Sequence, residues 1–225
     1  SPVANVPSML SPQGPAASEI AGLWWLLFWV SMAVVALVFG LLGWALWRRR
    51  RVTADTSTAM RARPEQTLPG GEQTWVVGGG IVMPTGILVG VLAATLTVMQ
   101  STAQASPSPD VVIEVVGHQW WWEVRYPNQA FVTANEIRIP VGEPIELRMT
   151  GGDVIHSLWI PELNGKMDLI PGRTTSLVLQ ADQAGEDQAQ CAEFCGTQHA
   201  KMRLVVVAET PEAFDGWVRN QQAEV

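Results

Sequence analysis

Cysteine is scarce in this chain: Cys191 and Cys195 are the only two among 225 residues. On their own they admit a single C-x3-C disulfide, the ordinary reading of such a pair in an oxidising compartment. No C-x-x-C-H motif occurs, which excludes a covalent c-type haem on these residues. Charge is missing altogether from two long runs, the 28 residues Ile20–Trp47 and the 25 residues Trp75–Met99. A bilayer span needs about 20 apolar residues, so each run is predicted to cross a membrane. Basic residues are few, 14 Lys and Arg against 21 Asp and Glu, for a net charge of −7. That balance argues against a nucleic-acid partner.

What is present falls into two parts of opposite sign. Residues 1–100 hold six Arg against four acids, a net of +2, whereas residues 101–225 hold 8 Lys and Arg against 17 acids, a net of −9. An acidic domain following a slightly basic membrane segment suits a basic partner. Residues 1–19, rich in Pro, Ser and Ala, read as an extended arm, and Ser1 in place of Met is what removal of a leader would leave. Trp24, Trp25 and Trp29 lie near one end of the first run and Trp44 and Trp47 near the other, as interfacial belts. Arg48–Arg51 follow at once, so the loop near 48–74 is predicted to be cytoplasmic. Residues 20–99 therefore form a two-span hairpin with both ends on the outer side. Gly78–Gly80 and Pro84 weaken the expectation of a straight second helix, and its small residues would let a partner helix approach closely.

Residues 100–110 read as a Ser/Pro/Ala linker. Beyond it, 111–225 shows short β-like runs at Val111–Val116, Trp120–Tyr126, Glu136–Ile139, Pro144–Thr150, Val154–Ile160, Thr174–Leu179 and Met202–Ala208, separated by turn signals. Seven short strands in about 100 residues predict a β-sandwich or barrel. Pro211–Gln222 reads as a short terminal helix.

The stretch Cys191–Met202, CAEFCGTQHAKM, concentrates chemistry. Twelve residues supply two thiolates, the His199 imidazole and the Met202 thioether, and His156 lies upstream in DVIHSLWIP. Soft sulfur ligands with imidazole suit copper, zinc or iron. One Cys, two His and a weak axial Met make a mononuclear copper site, and the second Cys exceeds that count. Two thiolates on a tight loop can bridge two metal ions, each with one imidazole and one weak axial donor: Met202 for one, a backbone carbonyl for the other. A tetrahedral zinc with two Cys and two His also fits the residue list but leaves Met202 idle.

CAEFCGTQHAKM, together with Asp153-Val-Ile-His156-Ser, Gly117-His118-Gln119-Trp120-Trp121-Trp122 and Lys166-Met-Asp168-Leu-Ile-Pro171-Gly172-Arg173, resembles subunit II of cytochrome c oxidase. The resemblance implies a membrane-anchored, all-β, cupredoxin-like Greek-key domain carrying a binuclear copper centre, CuA. It implies that Cys191 and Cys195 bridge both coppers, that His156 and Met202 serve one, and that His199 and the Glu193 carbonyl serve the other. It implies a magnesium ion on the Glu193 carboxylate, shared with a catalytic subunit I that holds the haem. Trp120 would admit electrons from a cytochrome c, and Glu72, in E-x-x-W, would stand at the entrance of a proton path. His118 would be structural, and Asp153 and Asp168 would lie on the rim of the copper domain and at the subunit interface. A long acidic insertion common in the family between Tyr126 and Glu136 is missing here. The setting implied is a bacterial-type inner membrane, with lipid around the spans, the β-domain on the periplasmic side and coupling to oxygen reduction and proton translocation. Two other classes compete: a copper-free quinol oxidase subunit, which the two cysteines disfavour, and a membrane-anchored copper-binding or assembly module.

Overall fold

The computed structural model describes residues 7–55, 71–104, 109 and 111–223. Leu23–Val98 forms one compact unit, and the described parts of Ser1–Gly22 and Met99–Val225 form the other.

Helix α1 runs from Pro15 to Asp55. It starts inside the stretch expected to be extended, because Pro15 occupies the first helical position, where its missing N–H costs nothing. Ser18 Oγ closes the first turn by donating to the Gly14 carbonyl at 3.0 Å. A Cβ at Gly14 would collide with the Gln180 carbonyl, so the chain passes there only without a side chain. At 1.5 Å per residue, 41 residues rise about 60 Å, twice the thickness of the hydrocarbon layer. Arg48 and Arg51 lie over the Trp44 and Trp47 rings, 5.4 and 3.6 Å from the centroids, at the expected boundary of the span.

The second helical stretch comprises α2 (Gly71–Val77), a π-helical segment (Gly78–Val82) and α3 (Met83–Gln104). The three glycines do not break the helix. They widen it by a turn just before Pro84, whose ring would clash with the carbonyl four residues back in a regular helix. Both stretches are long and apolar enough to cross a membrane, over Pro15–Arg51 and Gln73–Thr102.

The β-domain has ten strands: β1 (Val111–His118), β2 (Trp121–Tyr126), β3 (Phe131–Ala134), β4 (Glu136–Pro140), β5 (Ile145–Gly151), β6 (His156–Trp159), β7 (Lys166–Leu169), β8 (Thr175–Leu179), β9 (Gly185–Cys191) and β10 (Arg203–Glu209). They form two five-stranded sheets, ordered β3-β2-β1-β5-β8 and β4-β10-β9-β6-β7. The pairs β1·β5 and β4·β10 are parallel and the others antiparallel. Alternate residues turn inward. Ile113, Val115, Trp122, Val124, Leu147 and Met149 from one sheet meet Ile137, Ile139, Leu158, Leu204 and Val206 from the other. Helix α4 (Pro211–Ala223) is capped by Thr210 and packs Trp217 against Tyr126 and Phe131, with centroids 5.3 and 5.1 Å away. β3, β7 and β9 are additions to the seven strands expected.

Candidate metal centre

Three neighbouring strands deliver the ligand-bearing residues. His156 opens β6, Cys191 closes β9, and Met202 directly precedes β10. Leu158 pairs with Cys191 across β6·β9, and Gln190 pairs with Arg203 across β9·β10. The main chains of Cys191 and Met202 also bond directly, N–H to carbonyl, at 3.0 Å. Cys195 and His199 lie on the loop between, where His199–Lys201 makes a single 3-10 turn.

The donor atoms converge. The two sulfurs lie 3.8 Å apart and both thiols are free. His156 Nδ1 lies 3.9 Å from Cys191 Sγ, and His199 Nδ1 3.7 Å from Cys195 Sγ. Met202 Sδ is 3.7 Å from Cys195 Sγ, and the Glu193 carbonyl oxygen 3.2 Å from Cys191 Sγ. Metal–thiolate bonds of about 2.3 Å let sulfurs at this spacing share an ion. Cys191 Sγ thus has His156 and the Glu193 carbonyl beside it, and Cys195 Sγ has His199 and Met202. His156, Cys191, Cys195 and Met202 are buried, and His199 is half-buried under the exposed Phe194 ring at 5.8 Å.

A second layer of contacts holds these residues. His156 turns its other nitrogen, Nε2, to Asp153 Oδ1 at 2.8 Å. The Gln119 and Val154 main-chain N–H groups donate to the same carboxylate, each at 2.6 Å. Burial raises the Asp153 carboxyl, but these three hydrogen bonds and the His156 charge outweigh it and hold the group below the ordinary range. Burial, with Cys191 alongside, pushes the Cys195 thiol up to about 11. The Cys195 carbonyl accepts from Gln119 Nε2 at 2.7 Å and from Trp120 Nε1 at 3.2 Å. Two glycines make room: a Cβ on Gly117 would lie 2.9 Å from the His156 ring, and Gly196 turns at φ +121° with Gln119 and Trp120 against it.

Asp153 is thus a buttress of His156, where the sequence suggested a rim acid. Its D-x-x-H spacing was the available signal. Gln119 stands in the Gly117–Trp122 motif, but its role is not legible there, since its partner lies 76 residues away. His118 pairs with Glu123 at 3.0 Å and stacks on Trp121 at 4.7 Å. Asp168 accepts from Ser157 Oγ at 2.7 Å and from Lys166 Nζ at 3.3 Å. The Glu72 side chain lies outside the described residues.

The family profile described as cytochrome C oxidase subunit II, periplasmic domain, matches residues 129–209. Cytochrome c oxidase subunit 2 of Branchiostoma floridae is 32% identical over 157 residues, covering 60% of this chain and 68% of the relative. This chain belongs to the cytochrome c oxidase subunit 2 family. Another member, from Alkalihalophilus pseudofirmus, is 34% identical over 221 residues, 96% of this chain and 62% of its own. The chain spans 32% and 35% of the subunit 2 proteins of Synechocystis and Thermostichus vulcanus. The β-domain is similar to the crystal structure of the periplasmic domain of subunit II of cytochrome oxidase from Bradyrhizobium japonicum, at a TM-score of 0.51 and 30% identity. That match covers 52% of this chain and 97% of the other. Two span-length helices followed by a cupredoxin-like subunit 2 domain fit a membrane-anchored chain.

Proposed function

We propose that this chain is the electron-accepting subunit of a respiratory cytochrome c oxidase, with copper in its CuA centre. The observation that carries this reading is the pair of buried sulfurs 3.8 Å apart, each with a histidine Nδ1 and a weaker donor within 4 Å. The donor set fits copper: two soft thiolates, two imidazoles and a thioether. A lone tetrahedral zinc would leave the buried Met202 without a use. His156, Cys191, Glu193 through its carbonyl, Cys195, His199 and Met202 would hold two ions. Bound there, copper supplies one-electron transfer.

The protein's own groups position and insulate. Asp153 sets the His156 ring with Nδ1 toward the sulfurs. The buried ring and sulfurs exclude water and offer no general base. The half-buried Trp120 indole, bonded to the Cys195 carbonyl, gives a short covalent and hydrogen-bonded route to the Cys195 sulfur. A basic cytochrome c would deliver electrons there, steered by the net −9 of residues 101–225. The partner catalytic subunit would hold the haem, reduce oxygen and carry most proton translocation, with Glu72 at a proton-path entrance. The Glu193 carboxylate would share a magnesium ion with that subunit, since magnesium takes oxygen ligands and few protein carboxylates. The β-domain would face the periplasm of a bacterial-type membrane. The test is copper reconstitution of the purified chain: two coppers per chain with a mixed-valence dicopper resonance are expected. One metal per chain, or zinc retained in preference to copper, would overturn the reading.

A further inference from the structure

A second cluster of titratable groups lies away from the metal centre and is independent of the copper reading. Asp187, on β9, points inward by the alternation of its strand, and Glu162 lies in the β6–β7 connection. Their relative exposures are 6% and 9%. Both line a cavity of about 180 Å³ with Gln13, Gln183, Ala184, Gly185 and Glu186. That wall holds no Lys, Arg or His. The cations on the neighbouring elements, Lys166 at the start of β7 and Arg203 at the start of β10, are exposed. β10 sets Val206 opposite Asp187, the first turn of α1 has no charge, and the β8–β9 connection adds only the exposed acid Asp182. Two carboxylates cannot both ionise cheaply in such a place, whereas one proton between them makes a hydrogen bond. Burial, the bond to Glu162 and its charge push Asp187 up to about 7.

The same residues hold the N-terminal arm. The Gln13 N–H donates to the Glu162 carbonyl at 2.7 Å, and the Asp182 N–H donates to the Gln13 carbonyl at 2.8 Å. The Ala17 N–H reaches the Leu163 carbonyl at 3.3 Å. The arm is therefore clasped between the Glu162 connection and the approach to β9. We propose that Glu162 and Asp187 form a proton-held latch that keeps residues 11–14 seated on the β-domain, and that loss of the shared proton loosens the arm.

The sign follows from linkage. The seated arm binds the proton more tightly than the open arm, so seating weakens as pH rises from the ordinary aspartate range to about 7, then levels off. Hydrogen exchange of the full chain in detergent, corrected for intrinsic rates, tests this between pH 5 and 8. Protection in residues 11–18 and 182–187 should fall by up to about tenfold per pH unit below 7 and flatten above it. Asp187→Asn, which bonds without titrating, should make protection independent of pH, and Glu162→Gln should do the same if the first variant folds poorly. A flat wild-type profile, an unchanged slope in either variant, or equal loss of protection across β1 and β5 would overturn the proposal.

Discussion

Replacing Asp153 by Asn tests whether the setting of the His156 ring matters to the metal centre. The carboxylate accepts three hydrogen bonds: from His156 Nε2 at 2.8 Å, Val154 N–H at 2.6 Å and Gln119 N–H at 2.6 Å. An amide of the same shape has one oxygen, so its NH2 must face at least one of these donors. If the oxygen serves Val154 and His156, Gln119 loses its acceptor, and if it serves Gln119, the ligand ring loses its support. A hydrogen bond to a charged group contributes about 1.5–3 kcal/mol. The Asp153 side chain is 34% exposed, so water takes up part of the loss and the lower end, about 1.5–2 kcal/mol, applies. At 1.36 kcal/mol per decade this is about 10–30-fold in copper affinity, within the range for removing a ligand's outer partner. Competition titration against a copper chelator measures it, and the melting temperature of the metal-free variant separates ligand setting from stability. An affinity within twofold of wild type would refute the reasoning.

Four further outcomes are expected. Cys195→Ser should abolish the dinuclear centre, because a hydroxyl is a hard, poorly ionised substitute; metal analysis and electron paramagnetic resonance would reveal an unchanged two-copper signal if this is wrong. Gly117→Ala places a methyl 2.9 Å from the His156 ring, and the overpacking should cost about 1–3 kcal/mol and lower copper occupancy, checked by thermal unfolding with copper quantification. Tyr126→Phe removes the hydroxyl that accepts from the Arg138 N–H at 2.7 Å and donates to the Arg138 carbonyl at 3.1 Å, leaving buried main-chain groups unpaired at about 1–3 kcal/mol by denaturant titration. Trp120→Leu should slow stopped-flow reduction by a basic cytochrome c with little change in the copper spectrum, and the wild-type rate should fall as salt screens charges beyond about 10 Å at 0.1 M.

The sequence announced the donors because their chemistry is local: two sulfurs, an imidazole and a thioether stand within twelve residues. It announced strands wherever β-branched and aromatic residues alternate, as in VVIEVVGH and RLVVVAE. It did not announce β9, GEDQAQC, whose residues are depleted in strands. That segment is extended because β10 pairs along its length and β6 along its end, a property of the assembled sheet. The start of α1 was hidden for a similar reason. Pro15 signals a helical first turn, but what fixes it is the contact of Gly14, Gln13 and Ala17 with chain 150 residues or so further on.

The strand that was hardest to read is also the one that sets the geometry of the donor cluster. Cys191 ends β9, between His156 at the start of β6 and Met202 at the foot of β10, so three donors are spaced by interstrand pairing. Strands lie about 4.8 Å apart, close to the 3.7–3.9 Å separations among the donors, and side chains leaning together cover the difference. The intervening loop has to supply only Cys195, His199 and one carbonyl, and Gln119 and Trp120 hold it by the Cys195 carbonyl. A slip of β9 by one residue would turn Cys191 outward together with Ala189 and Asp187. Register of the sheet and assembly of the centre are therefore one constraint. A polar strand can meet it because its inward positions each have a place: Asp187 beside the Glu162 carboxyl, Ala189 in the core and Cys191 beside His156 and Cys195.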